Sequence, residues 1–265
     1  MGKRYLIAVD LEGAACVVGT PFTSLNGSSN YAFACRQATR EADAAARALF
    51  DNGAEEVIIW DNHGQGINLE YEQLDPRCRI LLGSGHRGRF AGMDKSYTAV
   101  LFIGYHAREN TSRAVLAHTF CSTAFQYYKL DGKEAGELAI DAAYAGELGV
   151  PVLFCAGDDA CVAEARALFP GLAAVVTKEA LSWTSALSRH PQAVCDDIYR
   201  TVRAAVPGAG TLVPYCMPGP LSVEIRYKRM EDAARAALTD RNGHPFAQPD
   251  PFTRSGVVDG VSALF

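Results

Sequence analysis

Residues 5–9 of the chain read Tyr5-Leu6-Ile7-Ala8-Val9, and the acidic segment Asp10-Leu11-Glu12-Gly13 follows at once. Such a short apolar run without polar alternation is typical of a strand that is buried on both faces of a sheet. The next stretch, 31–50, carries apolar residues at helical spacing and ends near Asn52-Gly53, which predicts a helix. A buried strand followed by a helix is the unit from which parallel sheets are built. This opening therefore favours an α/β fold.

The same alternation continues along the chain. Further short apolar runs predict strands, at 56–60, 79–82, 99–103 and 151–154. Helical patterns alternate with them, at 138–148 and 159–169. Residues 130–133 read Leu-Asp-Gly-Lys and predict a hairpin turn. We therefore predict an α/β protein with a mostly parallel sheet sandwiched by helices, because buried parallel strands need cover on both faces.

The pattern changes from about Gly171. A strand is predicted at 173–176 and a long helix at 191–206. At 221–227 apolar and polar residues alternate, as they do in a half-exposed strand. These features predict an α/β core in residues 1–170 and a smaller C-terminal α+β lobe in residues 171–265.

Composition and charge exclude several classes of protein. The chain has 265 residues, of which 49% are hydrophobic and 21% charged, so it can bury a core. The net charge of −5, without a cluster of Lys and Arg, argues against nucleic acid as a partner. No apolar run approaches the roughly 18–20 residues that span a bilayer, and the apolar stretch after Met1-Gly2-Lys3-Arg4 is too short for a signal peptide. We expect a cytoplasmic protein without a membrane partner, whose eight scattered cysteines are reduced.

Charged and imidazole side chains follow the predicted strands. In an open parallel sheet, ligands bind beyond the carboxyl ends of the strands. Taken singly these residues have ordinary interpretations, such as a helix N-cap for Asp158 or Asp159 and a favourable helix-dipole charge for Glu137. Together they predict a metal site at this edge of the sheet. The candidate ligands are Asp10 and Glu12 after the first strand, His63 after the second, His106 after the fourth, and Glu137 at a helix start.

Two imidazoles and three carboxylates suit Zn²⁺, although manganese or another divalent transition metal is possible. Five protein ligands overfill one catalytic zinc ion, which keeps about three and an open position. If Asp10 bridges, the five residues give three bonds to each of two ions. The ligand count thus predicts two zinc ions per chain. A two-metal site makes a hydroxide nucleophile from water and polarises a carbonyl or phosphoryl oxygen.

His118 is the remaining candidate. It follows the apolar run 114–117. This context fits a buried structural histidine as well as a non-ligand group that transfers protons or stabilises an oxyanion beside the metals. The local residues alone leave both interpretations open.

Four motifs, in order, resemble the dinuclear zinc D-aminopeptidases associated with bacterial dipeptide-transport operons. They are Ala8-Val9-Asp10-Leu11-Glu12-Gly13, Trp60-Asp61-Asn62-His63-Gly64, Gly104-Tyr105-His106-Ala107-Arg108 and Gly136-Glu137-Leu138. The resemblance implies metal ligands at Asp10, Glu12, His63, His106 and Glu137, with Asp10 bridging, and an active-site histidine at His118. It also implies a ring assembly, a decamer of two stacked pentamers whose active sites face an internal channel.

We therefore expect a metal-dependent aminopeptidase that hydrolyses short peptides with a free N-terminus, and the resemblance adds a preference for D-amino acids. A second hypothesis is another dinuclear hydrolase, acting on a cyclic amide, a γ-glutamyl bond or a phosphoester, because two-metal sites serve several electrophiles. A third is a ring-forming binder of peptide or metal without catalysis, against which the presence of all candidate ligands and His118 argues.

Overall fold

The computed structural model describes residues 3–265 of the chain. In chain order the strands are β1 (Arg4–Val9), β2 (Glu56–Asp61), β3 (Arg79–Leu81), β4 (Ala99–Tyr105), β5 (Phe125–Leu130), β6 (Lys133–Ala135), β7 (Val152–Gly157), β8 (Ala173–Val176), β9 (Lys178–Ser182), β10 (Ser185–Ser188), β11 (Leu221–Tyr227), β12 (Ala247–Asp250) and β13 (Thr253–Val258). The α-helices are α1 (Tyr31–Asp51), α2 (Glu137–Glu147), α3 (Asp159–Leu168), α4 (Pro191–Ala205) and α5 (Met230–Arg235). Within residues 3–265, none of these helices is long and apolar enough to cross a membrane.

The larger sheet in this part of the chain has six parallel strands in the order β3-β2-β1-β4-β7-β8. Side chains of β1 point alternately into two apolar cores. Tyr5, Ile7 and Val9 join the core under α1 and α4, and Leu6 and Ala8 join the core under α2 and α3. Because helices cover both faces, β1 needs no polar side, which explains its unbroken apolar run. The predicted α/β fold with a parallel sheet between helices is confirmed.

A second, antiparallel sheet has the strand order β12-β13-β11-β5-β6. Helix α2 lies between the two sheets: Leu138 and Ala142 pack into the core of the parallel sheet, whereas Ile140 packs against the antiparallel one. The turn between β5 and β6 is Asp131-Gly132, whose φ values of 50° and 76° are those that a two-residue hairpin turn requires. The predicted hairpin turn is therefore present.

The two sheets draw on interleaved parts of the chain. β8 lies after residue 170 but completes the parallel sheet, and α4 packs against α1 of the same layer. Conversely, β5 and β6 come before residue 170 but belong to the antiparallel sheet. The boundary predicted at residue 170 therefore does not separate the two sheets, because strand pairing between distant segments leaves no mark in local composition.

One further element, the antiparallel β9–β10 hairpin, follows β8 directly. It pairs with neither of the two larger sheets in the part of the chain that the structure describes. The sequence analysis did not predict it. Its position beyond the carboxyl end of β8 places it beside the segments that leave the other parallel strands.

Candidate metal centre

The carboxylates of Asp10 and Glu12 lie in the turn that follows β1. Each residue is only 4% exposed. The N–H of Asp10 donates to Ile103 O of β4 at 2.8 Å, so the first residue of the turn is still bonded to the neighbouring strand. These two carboxylates are therefore buried at the carboxyl edge of the parallel strands, where the sequence analysis expects them.

Two glycines allow this turn to touch the end of β4. A Cβ atom on Gly13 would lie 1.8 Å from Tyr105 O, and one on Gly104 would lie 2.1 Å from Asp10 O. Gly104 also has a φ of +70°, in the left-handed region that favours glycine. The backbone that carries Asp10 is thus pressed against the backbone that carries His106. This contact explains why both motifs contain a glycine.

Asp10, Glu12 and His63 form the first group of possible metal ligands, with the ligand atoms all within 4.8 Å of one another. His63 Nε2 lies 3.2 Å from Glu12 Oε1. His63 Nδ1 lies 3.2 Å from Asn68 Oδ1. Since an amide oxygen only accepts, Nδ1 donates and Nε2 is the nitrogen that faces the carboxylates. Asn68 therefore orients His63 in the way that residues behind a metal ligand usually do.

Asn68 is itself held firmly. Its Nδ2 donates to Asp61 Oδ1 and to His63 O, both at 2.6 Å. Asp61 Oδ2 accepts from the N–H of Leu69 at 2.9 Å. Asp61, the last residue of β2, thus stabilises the loop and does not join the ligand group. The sequence analysis missed Asn68, because its role depends on how the loop folds back on β2.

His106, His118 and Glu137 form the second group, again with ligand atoms within 4.8 Å of one another. His106 Nε2 lies 3.4 Å from Glu137 Oε1 and 3.4 Å from Asp10 Oδ2. His118 Nε2 lies 3.8 Å from Glu137 Oε1. Glu137 Oε1 also accepts from Phe120 N at 2.6 Å, which fixes the carboxylate. Asp10, a member of the first group, therefore also lies close to the second.

The two groups contain buried atoms that lack partners. Within residues 3–265, Glu12 Oε2 and His106 Nε2 are buried and make no hydrogen bond. Leaving such atoms unpaired costs free energy, and buried polar atoms in native proteins are normally satisfied. A divalent cation bound between the groups would satisfy both atoms. The donor set of imidazole nitrogens and carboxylate oxygens also fits zinc.

The electrostatics of the groups lead to the same conclusion. Burial, together with the charge of Glu12, raises the pKa of Asp10 to about 7. Burial alone would raise the pKa of Glu137, but the close contact with His106 and its charge lower it to about 2. Burial alone would lower the pKa of His63, but the charge of Glu12 raises it to about 10. The three buried carboxylates thus stabilise a positive charge beside them, as a cation-binding site does.

His118 differs from the other two imidazoles. Its Nδ1 lies 2.7 Å from Leu116 O, so Nδ1 donates and Nε2 has a lone pair in the neutral ring. Its ring stacks on that of His106, with 4.1 Å between the centroids. Burial and the charge of His106 lower the pKa of His118. These contacts favour the neutral imidazole, whose Nε2 can accept a proton or bind a metal.

A cavity of about 310 Å³ opens onto both groups. Leu116 and Trp183 form part of its wall, and Ser122 and Thr123 are polar residues of the lining. Trp183 lies at the tip of the β9–β10 hairpin, where its carbonyl accepts from Leu116 N at 2.9 Å. Its indole Nε1 donates to Ala117 O at 3.2 Å. The hairpin tip therefore supports the segment that carries His118, a role that no local pattern indicates.

The remaining acidic residues of the edge do not join these groups. Asp158 Oδ1 accepts from Cys161 N at 2.8 Å, so Asp158 is the N-cap of α3. Its Oδ2 accepts from Val115 N at 2.9 Å. Asp159 Oδ1 accepts from Ala180 N at 2.9 Å, which ties α3 to the β9–β10 hairpin. The capping interpretation of Asp158 is therefore confirmed.

Comparisons with known proteins identify the family of the chain. A family model described as D-aminopeptidase matches residues 4–243. A D-aminopeptidase of Bacillus subtilis (strain 168) is 32% identical over 181 residues, which span 68% of this chain and 65% of that relative. The chain also resembles the solved structure of the Zn-dependent D-aminopeptidase DppA from Bacillus subtilis, a self-compartmentalizing protease, with a TM-score of 0.88, 25% identity, and coverage of 98% of this chain and 93% of the other. With the family model matching most of its length, the chain belongs to the D-aminopeptidase family.

Proposed function

We propose that this protein is a metal-dependent aminopeptidase that removes the first residue from short peptides with a free N-terminus. The observation that carries the proposal is the pair of buried ligand groups, joined through Asp10, at the cavity of about 310 Å³. A cavity of this size is at the lower end of the range for small-ligand sites, which supports a short substrate. Family membership supports the peptidase reaction and the preference for D-amino acids.

Asp10, Glu12 and His63 would hold one zinc ion, and Asp10, His106 and Glu137 the other. The position of Asp10 supports a bridging role, since it belongs to the first group and its Oδ2 lies 3.4 Å from His106 Nε2 of the second. The zinc dependence of the Bacillus subtilis DppA supports the choice of metal. Bound zinc supplies activation of water and polarisation of the peptide carbonyl.

In this proposal His118 is the residue that transfers protons. Its Nδ1 is held by Leu116 O and its pKa is lowered, so Nε2 can take the proton of the nucleophilic water. Donation of that proton to the leaving amine would complete hydrolysis. The ring of His106 stacks on His118 and holds it in place. The hydrogen bond from Phe120 N to Glu137 fixes the neighbouring carboxylate.

Metal removal and substrate choice test the function together. The purified protein should hydrolyse D-alanyl p-nitroanilide, lose this activity after dialysis against a zinc chelator, and regain it when zinc is added. L-Alanyl p-nitroanilide and p-nitrophenyl phosphate serve as comparison substrates. Turnover of the phosphoester without turnover of either anilide would favour another dinuclear hydrolase. Binding of a D-alanyl peptide without any turnover by the zinc-loaded protein would favour a non-catalytic binder.

We further propose that the protein forms a ring-shaped homo-oligomer, with a decamer as the specific expectation. The self-compartmentalizing nature of the similar DppA supports this assembly. Exposed apolar side chains on the β9–β10 hairpin also support it, since Leu181 is 56% and Leu187 is 64% exposed in the single chain. Light scattering should report a particle of about ten times the 28.4 kDa mass of one chain. A monomer in solution would contradict the assembly but not the metal centre.

A cytoplasmic location completes the proposal. All eight cysteines are free, and four of them, Cys35, Cys155, Cys161 and Cys195, are buried. Free cysteines are typical of proteins in reducing compartments, which supports this location.

A further inference from the structure

The turn that carries Asp10 and Glu12 has no regular secondary structure, so its backbone groups need partners from elsewhere. Residues just beyond β8 supply several of them. Lys178 Nζ donates to Glu12 O at 2.5 Å and to Ala14 O at 2.7 Å. The hydroxyl of Thr177 lies 2.6 Å from Gly13 O and donates to it. Three consecutive carbonyl groups are thus bound by two adjacent side chains.

Neither of these side chains is in contact with solvent. Thr177 and Lys178 are both 0% exposed. Burying an ammonium group costs free energy that an apolar side chain of the same length would avoid. The hydrogen bonds to Glu12 O and Ala14 O compensate part of this cost, and they fall directly on the turn that carries the candidate ligands. The location of the buried charge therefore points to a role in shaping that turn.

The second ligand group is held by different contacts. His106 Nδ1 lies 2.9 Å from Ala107 O, and His118 Nδ1 lies 2.7 Å from Leu116 O. Glu137 is fixed by the N–H of Phe120 at 2.6 Å. None of these three contacts involves Thr177 or Lys178. A change at the Thr177–Lys178 pair should therefore act on one ligand group and leave the other in place.

We infer that Thr177 and Lys178 are positioning residues for the first metal ion. They hold the carbonyls of residues 12, 13 and 14 so that the side chain of Glu12, a ligand of the first ion alone, faces His63. Asp10 is held separately, by the bond from its N–H to Ile103 O. Neither Thr177 nor Lys178 lines the cavity, so they would act through the ligands. The inference rests on the proposed two-metal centre, and it assigns a role to residues outside all the family-like motifs.

The test is a zinc titration of the full-length protein. Lys178→Met removes the charge and the donors but keeps the length of the side chain. We expect one of the two zinc ions to bind about 10–100-fold more weakly, which is the usual effect of losing a residue behind a metal ligand, while the affinity for the other stays within about threefold. Competition with a chromophoric chelator gives both affinities without any measurement of activity.

Thr177→Val is the second variant and serves if Lys178→Met does not fold. It removes the hydroxyl but keeps the shape of the side chain. Its matched control is Thr253→Val, which removes another buried hydroxyl, 2% exposed, from β13 in the antiparallel sheet. Selective loss of one ion in Thr177→Val but not in Thr253→Val supports the inference. Unchanged affinity for both ions in the folded variants overturns it.

Three results separate this role from the alternatives. Equal weakening of both ions, together with a lower thermal midpoint, would show a general structural role and overturn the inference. Wild-type protein that binds no zinc would instead overturn the proposed function. Wild-type protein with two ions and variants that keep both would leave the proposed function intact and remove only the role of Thr177 and Lys178.

Discussion

Glu12→Gln should release at least one zinc ion and abolish most of the peptidase activity. Glu12 is buried, and its Oε1 lies 3.2 Å from His63 Nε2. Burial would raise the pKa of Glu12, but the charge of His63 lowers it well below its usual range, so the carboxylate is ionised. Glutamine keeps the shape but removes the charge, and the first ion would keep only Asp10 and His63 as charged or imidazole ligands.

A catalytic zinc ion with two such ligands is weakly held. We therefore expect its affinity to fall by more than the roughly 100-fold that loss of a residue behind the ligands can cause. Elemental analysis and the turnover number measure the two effects on the same preparation. His106→Ala should give the same result at the second ion. The exposed residue Glu179 provides the control variant Glu179→Gln. Two ions per chain in both Glu12→Gln and His106→Ala would refute the ligand assignment.

His118→Ala should keep both zinc ions while turnover falls by roughly 10²–10⁴-fold, the usual contribution of a positioned proton-transfer group. The imidazole is buried beside His106 and its Nδ1 is bound to Leu116 O, so its Nε2 has a defined position. Metal content, thermal midpoint and turnover number should be measured on the same variant. His244→Ala is a suitable control because the side chain of His244 is 76% exposed.

The three measurements separate three roles of His118. A proton-transfer role predicts normal metal content and a steep loss of turnover. A purely structural role predicts that the melting temperature falls first, because truncation leaves a cavity and an unpaired carbonyl. A ligand role predicts loss of metal, and the position of His118 within 4.8 Å of His106 and Glu137 makes this a real alternative. Normal metal content, melting and turnover together would remove His118 from the mechanism.

The sequence by itself determined the class of the fold and the edge of the sheet at which the candidate ligands lie. The run Tyr5 to Val9 lacks polar alternation because helices cover both faces of β1, and such a pattern is visible in the residues themselves. Residues that follow parallel strands necessarily meet at one edge of the sheet. For this reason the sequence alone predicts that four candidate ligands lie together, namely Asp10, Glu12, His63 and His106.

Only the tertiary structure decided which residues hold this site in shape. Asn68 orients His63, Trp183 supports the segment before His118, and Lys178 binds the turn after Asp10. Only the structure shows, too, that β8 joins the parallel sheet although it follows residue 170, and that β5 and β6 join the antiparallel sheet although they precede it. These contacts join segments that are distant in sequence, and each depends on the path of irregular loops. Periodicity and local propensity describe the environment of a residue along its own strand or helix, so they carry no information about a hydrogen bond from Lys178 to Glu12.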